Sequence, residues 1–217
     1  MCAAVMTLLE RCKRIGTSTW SDALDNLAIN GVVRGISHRS GQGRFAAFAV
    51  TARQATGGFG VFQSSDFAVA QIVGAAGPDR VLVVDMGGAE ISTFGGLAAL
   101  AAVTRGVAAV VIDGACRDLD EIRTHGLWLA SRSVTPTSGK RRVKLKSLGE
   151  PVTMGGITVR PDDLVVGDET GIVSVPKDDI ERVLVDAERL HSLDEQIEAA
   201  LKQGQSFEAA IAAADYV

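Results

Sequence analysis

Residues 81–125, VLVVDMGGAEISTFGGLAALAAVTRGVAAVVIDGACRDLDEIRTH, decide the predicted fold. An apolar run at residues 81–84 predicts a buried strand that stops at Asp85, and a second apolar run at 107–112 predicts another. Between them, residues 97–102 consist of alanine and leucine, which favour helix. Two buried strands joined by a helix form a βαβ crossover, so we expect the strands to be parallel neighbours.

Glycines and charged residues follow both predicted strands. Asp85 and the glycines at 87–88 follow the first strand, and Arg117 and Asp118 follow the second. Ligands of open parallel sheets bind beyond the carboxyl ends of the strands. The sequence therefore predicts a ligand site at this edge, which also holds the glycines at 95–96 before the helix.

The start of the predicted helix has the composition of an anion-binding nest. The first N–H groups of a helix have no intrahelical partners, and the helix dipole is positive there. Glycine lets a small carboxylate or phosphate approach these N–H groups closely. The predicted substrate-binding residues of the nest are Gly95, Gly96, Leu97 and Ala98.

Arg117 and Asp118 add a cation and a metal ligand to this nest. Arginine pairs with a carboxylate through two hydrogen bonds, and one carboxylate with several waters is a common environment for Mg²⁺ or Mn²⁺. Together these groups suit a 2-oxo acid whose enolate they would stabilise, so that a carbon–carbon bond could be cleaved. A plain turn and a solvated helix cap explain the same residues, and on the residues alone that alternative stays open.

Composition and charge bound the class of protein. The 217 residues are enough for a substantial core, and with no repeat or long linker they predict a single domain over residues 1–217. The net charge of −4 does not indicate a nucleic-acid-binding surface. The basic run at 140–146 is interpreted as an edge strand with lysines on its solvent-facing side.

Cysteine usage and hydropathy point to a soluble protein. Cys2, Cys12 and Cys116 show neither zinc-ligand spacing nor an even count for disulfides, which fits a reducing cytoplasm. No apolar run approaches the roughly 20 residues of a membrane-spanning helix, and no leader pattern precedes the domain. We therefore expect a cytoplasmic protein without membrane or nucleic-acid partners.

The remaining segments complete an α/β pattern. Helical spacing at residues 5–15 predicts an N-terminal helix, and residues 45–53 predict a strand. Short alternating segments punctuated by glycine indicate a β-rich region at 143–176. Residues 178–202 predict a long amphipathic helix near the C-terminus, with its charges on the outer face.

The spacing of Gly96, Arg117, Asp118 and Glu121 resembles the G-x20-R-D-x2-E/D pattern of the RraA-like proteins. That family includes metal-dependent 4-hydroxy-4-methyl-2-oxoglutarate aldolases, oxaloacetate decarboxylases and a regulator that inhibits ribonuclease E. Further similarities to the family lie at residues 18–24, 84–88, 114–117 and 167–176.

The resemblance implies a fold and an assembly. The fold would be α/β, like the swivelling β/β/α domain of phosphohistidine proteins, with a central βαβ unit and a C-terminal helix. Family members form homotrimers, sometimes doubled into homohexamers, with active sites in clefts between subunits.

The resemblance also implies a role for each site residue. The nest at 95–98 would bind the substrate carboxylate, and Arg117 would hold and stabilise the pyruvate enolate. Asp118 would be the only direct protein ligand of Mg²⁺ or Mn²⁺, so Arg117 and Asp118 are the expected catalytic residues. A carboxylate from a neighbouring subunit, Glu195 or Glu198, would help to hold the metal's waters, although plain surface charge is the alternative for either residue.

Two departures from the family pattern bear on activity. Many aldolases of the family carry an acidic residue immediately after the first glycine of the nest, where it helps to deliver a proton to the enolate. That place falls on Gly96, with a one-residue ambiguity between Gly95 and Gly96; if Gly96 occupies it, we expect retro-aldol turnover to suffer more than decarboxylation. Regulator-type members lack the aspartate of the Arg-Asp pair, whereas this chain keeps Asp118, which favours a metal site.

The expected function is therefore a divalent-metal-dependent lyase that cleaves 2-oxo acids to pyruvate, by retro-aldol cleavage, oxaloacetate decarboxylation or both. One alternative is a regulator that binds and inhibits an RNA-processing enzyme such as ribonuclease E. Another is a related metal site that serves a different reaction of a hydroxy- or oxo-acid.

Overall fold

The computed structural model describes residues 6–214, which form seven α-helices and ten β-strands. The helices are α1 (Leu8–Arg14), α2 (Thr17–Asn26), α3 (Val69–Gly74), α4 (Gly96–Thr104), α5 (Leu119–His125), α6 (Ile180–Lys202) and α7 (Phe207–Ala213). The strands are β1 (Ser37–Ser40), β2 (Phe45–Thr56), β3 (Arg80–Phe94), β4 (Ala109–Cys116), β5 (Leu129–Val134), β6 (Val143–Leu148), β7 (Val152–Met154), β8 (Ile157–Val159), β9 (Leu164–Gly167) and β10 (Ile172–Val175).

One mixed sheet organises the chain. Its strand order is β1-β5-β4-β3-β2-β9-β10, and β6 pairs with the distal part of β2. The central strands β2, β3, β4 and β5 are parallel neighbours, whereas β1, β6, β9 and β10 pair antiparallel. The predicted βαβ unit is therefore confirmed as β3-α4-β4, with β3 and β4 paired in parallel.

The central strands are apolar because both faces of the sheet are covered. All eight residues of β4 are buried. On one face, residues such as Leu82 and Ile112 pack against α3, α4 and α5. On the other face, residues such as Val83 and Val111 pack beneath the hairpin of β7 and β8.

A third core joins the two ends of the described chain. Trp20 of α2 and Leu184 of α6 are both fully buried there, against β9 and β10. The N–H and hydroxyl of Thr17 donate to the Asp168 carboxylate at 2.9 and 2.7 Å. Arg11 forms a two-bond ion pair with Glu188 at 2.8 Å. These contacts fix the N-terminal helices to the C-terminal half.

Strand β3 corrects one prediction. The first central strand was expected to stop at Asp85, but β3 continues for fifteen residues to Phe94. Gly87 and Gly88 lie inside it with φ of 62° and 79°, and its register with β4 shifts between Asp85 and Ala89. Glycine adopts such positive φ without a steric cost, so the pair forms an irregularity within the strand. The strand thereby reaches the start of α4 directly.

Two buried aspartates at this irregularity hold the hairpin of β7 and β8. Asp85 accepts the N–H of Thr153 at 3.2 Å, and Asp113 accepts the N–H of Gly155 at 3.0 Å. Arg53 lies 3.3 Å from the Asp85 carboxylate, and a second arginine pairs with Asp113. Buried charges need such partners. Asp85 is therefore occupied on the hairpin side of the sheet.

Other predicted bounds shift by a few residues. The strand predicted at 45–53 extends to Thr56, and the helix predicted at 178–202 begins at Ile180 after a 3₁₀ turn. Residue 5 of the predicted first helix lies outside the described residues. Among the described residues, α1 begins at Leu8. Within residues 6–214, none of the helices combines the length and apolarity needed to cross a membrane.

Candidate active site

The glycine pair before α4 makes room for the Arg-Asp pair. Gly95 is the N-cap residue of α4 and has an extended backbone. A Cβ atom on Gly95 would lie 2.5 Å from Asp118 Oδ2 and 3.1 Å from Arg117 Nε. The N–H of Gly96 donates to Asp118 Oδ2 at 3.2 Å. A side chain at 95 would therefore displace both charged groups from their observed positions.

Glu121 covers the second glycine of the pair. A Cβ atom on Gly96 would lie 2.7 Å from Glu121 Cδ and still closer to Oε2. The Glu121 carboxylate therefore occupies the space in which a side chain of residue 96 would begin. Glu121 belongs to the first turn of α5, so helix α5 brings its carboxylate onto the start of α4.

Arg117 and Asp118 are placed by the end of β4. The N–H of Arg117 donates to the carbonyl of Phe94 at 2.9 Å, which ties the pair to the last residue of β3. Asp118 then adopts φ 52° and ψ 45°, the left-handed conformation, and is the N-cap residue of α5. Aspartate is among the few residues that accept this conformation at modest cost. The Arg117 Nε lies 3.4 Å from Asp118 Oδ2, and both side chains are more than one-third exposed.

A cavity of about 290 Å³ opens above these groups. Its apolar wall comes from Phe67, Val69, Phe94, Leu97 and Ala98. Its polar wall comes from Ser92, Thr93, Arg117, Asp118, Glu121 and Lys140. Thr93 is 2% exposed, and among the described residues its hydroxyl has no hydrogen-bond partner. Such a buried hydroxyl without a partner carries a free-energy cost.

A larger cavity of about 670 Å³ lies elsewhere, beside α1 and Trp128. It contains none of the predicted site residues. Its position near Asp79 and Ala108 places it where β3 and β4 begin, at the edge opposite the nest. In parallel sheets the carboxyl ends of the strands carry the site. We therefore take the smaller cavity as the candidate active site.

The structure brings the predicted site residues together. Gly95, Leu97, Ala98, Arg117 and Asp118 all line the smaller cavity, and buried Gly96 lies beneath Glu121.

The two carboxylates expected from a neighbouring subunit lie elsewhere within one chain. Glu195 faces His191 at 3.5 Å along α6, and Glu198 pairs with Lys202 on the same helix. Neither glutamate lines the cavity. Whether a second copy of the chain supplies one of them stays a prediction.

Sequence reasoning missed six of the residues that line the cavity, namely Phe67, Val69, Ser92, Thr93, Phe94 and Lys140. Thr93 and Phe67 carry no pattern that distinguishes them from other strand or turn residues. Lys140 was assigned with residues 140–146 to an edge strand, but it lies in the turn before β6, which begins at Val143. Residues 141–143 separate Lys140 from Lys144 and Lys146. This separation is the feature that could have distinguished Lys140 from the other two lysines.

The donor set fits a hard divalent cation held mainly by water. Within residues 6–214, no group of three or more His, Cys, Asp or Glu side chains could enclose a metal. Mg²⁺ typically binds one or two carboxylates and retains several waters. Asp118 offers a carboxylate that lines the cavity and is 35% exposed. This arrangement suits a single-carboxylate Mg²⁺ or Mn²⁺ site.

Residues 17–174 match the model of the RraA-like family, described as Aldolase/RraA. The chain therefore belongs to the RraA-like family. It is 29% identical over 203 residues to a protein of Halalkalibacterium halodurans that is provisionally named a 4-hydroxy-4-methyl-2-oxoglutarate aldolase, covering 93% of this chain and 91% of that relative. It is 30% identical over 144 residues to an uncharacterised protein of Methanocaldococcus jannaschii. That match spans 66% of this chain but only 64% of the relative's length.

Solved structures share the fold. An uncharacterised protein of Pseudomonas syringae pv. tomato superposes with a TM-score of 0.84 at 27% identity, covering 97% of this chain and 99% of that one. Streptomyces coelicolor RraAS2, described as an unusual member of the RNase ES inhibitor RraA protein family, superposes with a TM-score of 0.78 at 23% identity, covering 87% and 94%. The predicted α/β fold with a C-terminal helix is confirmed by these likenesses.

Proposed function

We propose that this protein is a divalent-metal-dependent lyase that cleaves 2-oxo acids to pyruvate. The observation that carries the proposal is the convergence of the nest, Arg117 and Asp118 on one cavity. The provisional aldolase name of the Halalkalibacterium halodurans relative supports a lyase. The proposed substrates are 4-hydroxy-4-methyl-2-oxoglutarate, oxaloacetate or both.

The chain's own residues would bind and orient the 2-oxo acid group. The N–H groups of Leu97 and Ala98 at the start of α4 would receive the substrate carboxylate, helped by the helix dipole, whereas the N–H of Gly96 donates to Asp118. Arg117, with only Asp118 as its ion-pair partner among the described residues, would pair with the same carboxylate and stabilise charge that develops on the enolate. Asp118 would hold the cation, which when bound supplies Lewis-acid stabilisation of negative charge on the keto oxygen.

Both proposed reactions lead to the same product. In retro-aldol cleavage the C4 hydroxyl gives its proton to a carboxylate or water in the cavity, the C3–C4 bond breaks, and its electron pair forms pyruvate enolate while C4 becomes a carbonyl. In oxaloacetate decarboxylation the C3–C4 bond breaks with release of CO₂ and forms the same enolate. Protonation at C3 then gives pyruvate. The protein therefore has to stabilise the enolate and deliver one proton.

Glu121 is the proposed carrier of that proton. Gly96 lacks the acidic side chain found there in many aldolases of the family, but the Glu121 carboxylate occupies the same space. A carboxyl group at Oε2 would pass its proton to C3 directly or through one water. We therefore propose that Glu121 carries this proton in the absence of an acidic side chain at residue 96.

The test of the lyase proposal is pyruvate release from both substrates, with Mg²⁺, with Mn²⁺ and with a chelator. Asp118→Asn is the informative variant, because asparagine accepts the left-handed backbone while losing the charge. We expect a loss of about 100-fold or more in kcat/KM, as for removal of one main electrostatic stabiliser. Asp25→Asn, at an exposed position of α2, is the matched control and should retain full activity. Turnover that survives both the chelator and Asp118→Asn would refute the proposal.

Glu121→Gln separates the proton-transfer role from the binding role. Retro-aldol turnover should fall by about 10² or more. Decarboxylation of oxaloacetate should fall less, because its enolate can take a proton from solvent. An equal loss on both substrates would remove Glu121 as the proton carrier.

We also propose that the protein self-associates as a homotrimer or homohexamer. The exposed side of α4, next to the nest, carries Leu97, Leu100 and Val103, of which Leu97 is 84% exposed. Contiguous exposed apolar surface of this kind is typical of an interface. Light scattering after size-exclusion chromatography measures the mass, and Leu97→Glu should lower it. A monomeric wild type at micromolar concentration would contradict the assembly.

A further inference from the structure

Lys140 is a second cation of the cavity, and the function proposed above leaves it without a role. It lines the same cavity as Arg117 and Asp118 but comes from the turn between β5 and β6. The proposed chemistry at the 2-oxo acid group uses the nest and Arg117 only. An unpaired positive charge beside a substrate cavity favours an anionic ligand there, so Lys140 indicates a second anionic group on the ligand.

The turn that carries Lys140 is docked on the end of β3. The carbonyl of Thr137 accepts the N–H of Ser92 at 3.0 Å, and Ser92 forms a parallel bridge with Ser138. A Cβ atom on Gly139 would lie 2.6 Å from the carbonyl oxygen of Ser92 and even closer to the ring of Phe67. The residue before Lys140 therefore has to be glycine for the turn to sit this close. The backbone of Lys140 is thus held at the rim of the cavity.

The other basic residues of the turn are already engaged. The guanidinium groups of Arg141 and Arg142 both lie over the Phe59 ring, each 4.7 Å from its centroid. Arg142 also donates to the carbonyl of Ser138 at 3.1 Å. By contrast, the Lys140 side chain forms no ion pair with any of residues 6–214. Lys140 is therefore the basic residue of the turn that is available to a ligand.

We propose that Lys140 binds the distal carboxylate of a 2-oxo dicarboxylic acid and so selects dicarboxylic over monocarboxylic substrates. The inference rests on the proposed function for the placement of the 2-oxo acid group at the nest and Arg117. With that group in place, the remaining carboxylate of a short-chain diacid requires a cation elsewhere in the cavity. An ammonium group on a flexible stem suits such a contact. The cavity volume of about 290 Å³ restricts the ligand to a small acid.

The test uses two ligands that differ only at the distal end. In 2-oxoglutarate the chain ends in a carboxylate, and in 2-oxopentanoate it ends in a methyl group. Binding of each to the 217-residue chain with Mg²⁺ is measured by titration calorimetry, without any turnover. The variants are Lys140→Met, which keeps the stem, and Lys140→Arg, which keeps the charge. Lys146→Met, on an exposed position of β6 outside the cavity, is the matched control.

We expect wild type to prefer 2-oxoglutarate by about tenfold, the size of one charge-assisted contact. Lys140→Met should abolish this preference and leave the affinity for 2-oxopentanoate unchanged. Lys140→Arg should retain most of the preference, and Lys146→Met all of it. A wild type without the preference, or a Lys140→Met variant that weakens both ligands equally, would overturn the inference.

Turnover measurements keep the two proposals distinguishable. The matched substrates are 4-hydroxy-2-oxoglutarate and 4-hydroxy-2-oxopentanoate, which would give pyruvate with glyoxylate or with acetaldehyde. If neither releases pyruvate but Lys140→Met abolishes the binding preference, the lyase proposal fails and the Lys140 inference stands. If both substrates release pyruvate and Lys140→Met lowers kcat/KM equally for the two, the lyase proposal stands and the Lys140 inference fails. If both proposals hold, Lys140→Met raises KM for the diacid alone by about tenfold.

Discussion

Gly96→Ala directly perturbs the packing of α4 against α5. The new Cβ atom would lie 2.8 Å from Glu121 Cβ, and closer still to the carboxylate. The carboxylate can rotate away, but Glu121 Cβ is fixed to helix α5. Ordinary contact begins near 3.4 Å, so the start of α5 has to move by about 0.6 Å, the difference between 3.4 and 2.8 Å. Asp118 precedes α5 directly and would move with it.

This displacement should lower both the stability and the activity of the protein. Overpacking costs about 1–3 kcal/mol, and the helix preference of alanine offsets up to about 1 kcal/mol of it. We therefore expect a net loss of roughly 1–2 kcal/mol, or a melting temperature about 2–8 °C lower. Misplacement of a catalytic group by a fraction of an ångström to 1 Å lowers kcat/KM by up to about 100-fold. The larger effect should thus be on catalysis.

Urea unfolding at fixed protein concentration and pyruvate release measure the two costs. Gly74→Ala at the end of α3 is the control, because a Cβ atom there meets nothing within 4 Å and the variant should be no less stable than wild type. Adding Glu121→Gly to Gly96→Ala removes the Cβ atom that the new methyl group meets, so the two stability costs should be less than additive. Fully additive costs, or a Gly96→Ala protein as stable and active as wild type, would refute the close-packing argument.

Three further predictions concern charge and burial. Arg117→Lys keeps the charge but loses the paired donors, so kcat/KM for pyruvate release should fall by about 10- to 100-fold. Burial disfavours the Asp168 carboxylate, but hydrogen bonds from threonine and glycine neighbours outweigh burial and hold its pKa below the usual range. Because the folded pKa lies below the unfolded value of about 3.9, this stabilisation is present above that pH and is lost as pH falls through the folded pKa. Asp168→Asn should therefore cost about 1–3 kcal/mol at pH 7 and should flatten the acid limb of a pH–stability profile followed by circular dichroism. Burial raises the pKa of the Cys12 thiol to about 12 and also raises that of Cys116, so in a Cys2→Ser protein neither thiol should react with an aromatic disulfide reagent until urea unfolds the chain.

The sequence was sufficient for the centre of the fold because local patterns determine it. Continuous apolar runs around an alanine-rich helix predict a parallel βαβ unit, and β3-α4-β4 has that form. The same rules failed at Gly87 and Gly88, where two glycines suggest the end of a strand. Pairing with β4 resumes at Ala89 and continues to Phe94, so hydrogen bonds to a neighbouring strand override the local tendency to turn.

The sequence could predict only those site residues that lie close together along the chain or that belong to the family pattern. The nest, Arg117 and Asp118 were accessible in this way, because all of them follow from the βαβ unit. Lys140 and Thr93 were not, because their places depend on how the turn before β6 docks on the end of β3. The contact of Glu121 with Gly96 likewise depends on how α5 packs on α4, which no spacing rule determines.

The pairing of the first helices with the last long helix has a consequence for how the protein is made. Thr17 lies 151 residues before Asp168, and Arg11 lies 177 residues before Glu188. During synthesis the strands and helices around the nest emerge from the ribosome before α6, whereas α1 and α2 emerge first and lack their partner. Domains fold largely as their segments become available. The nascent chain thus has its cavity-forming middle complete while its first apolar helices are still uncovered, and those helices need protection until α6 has emerged.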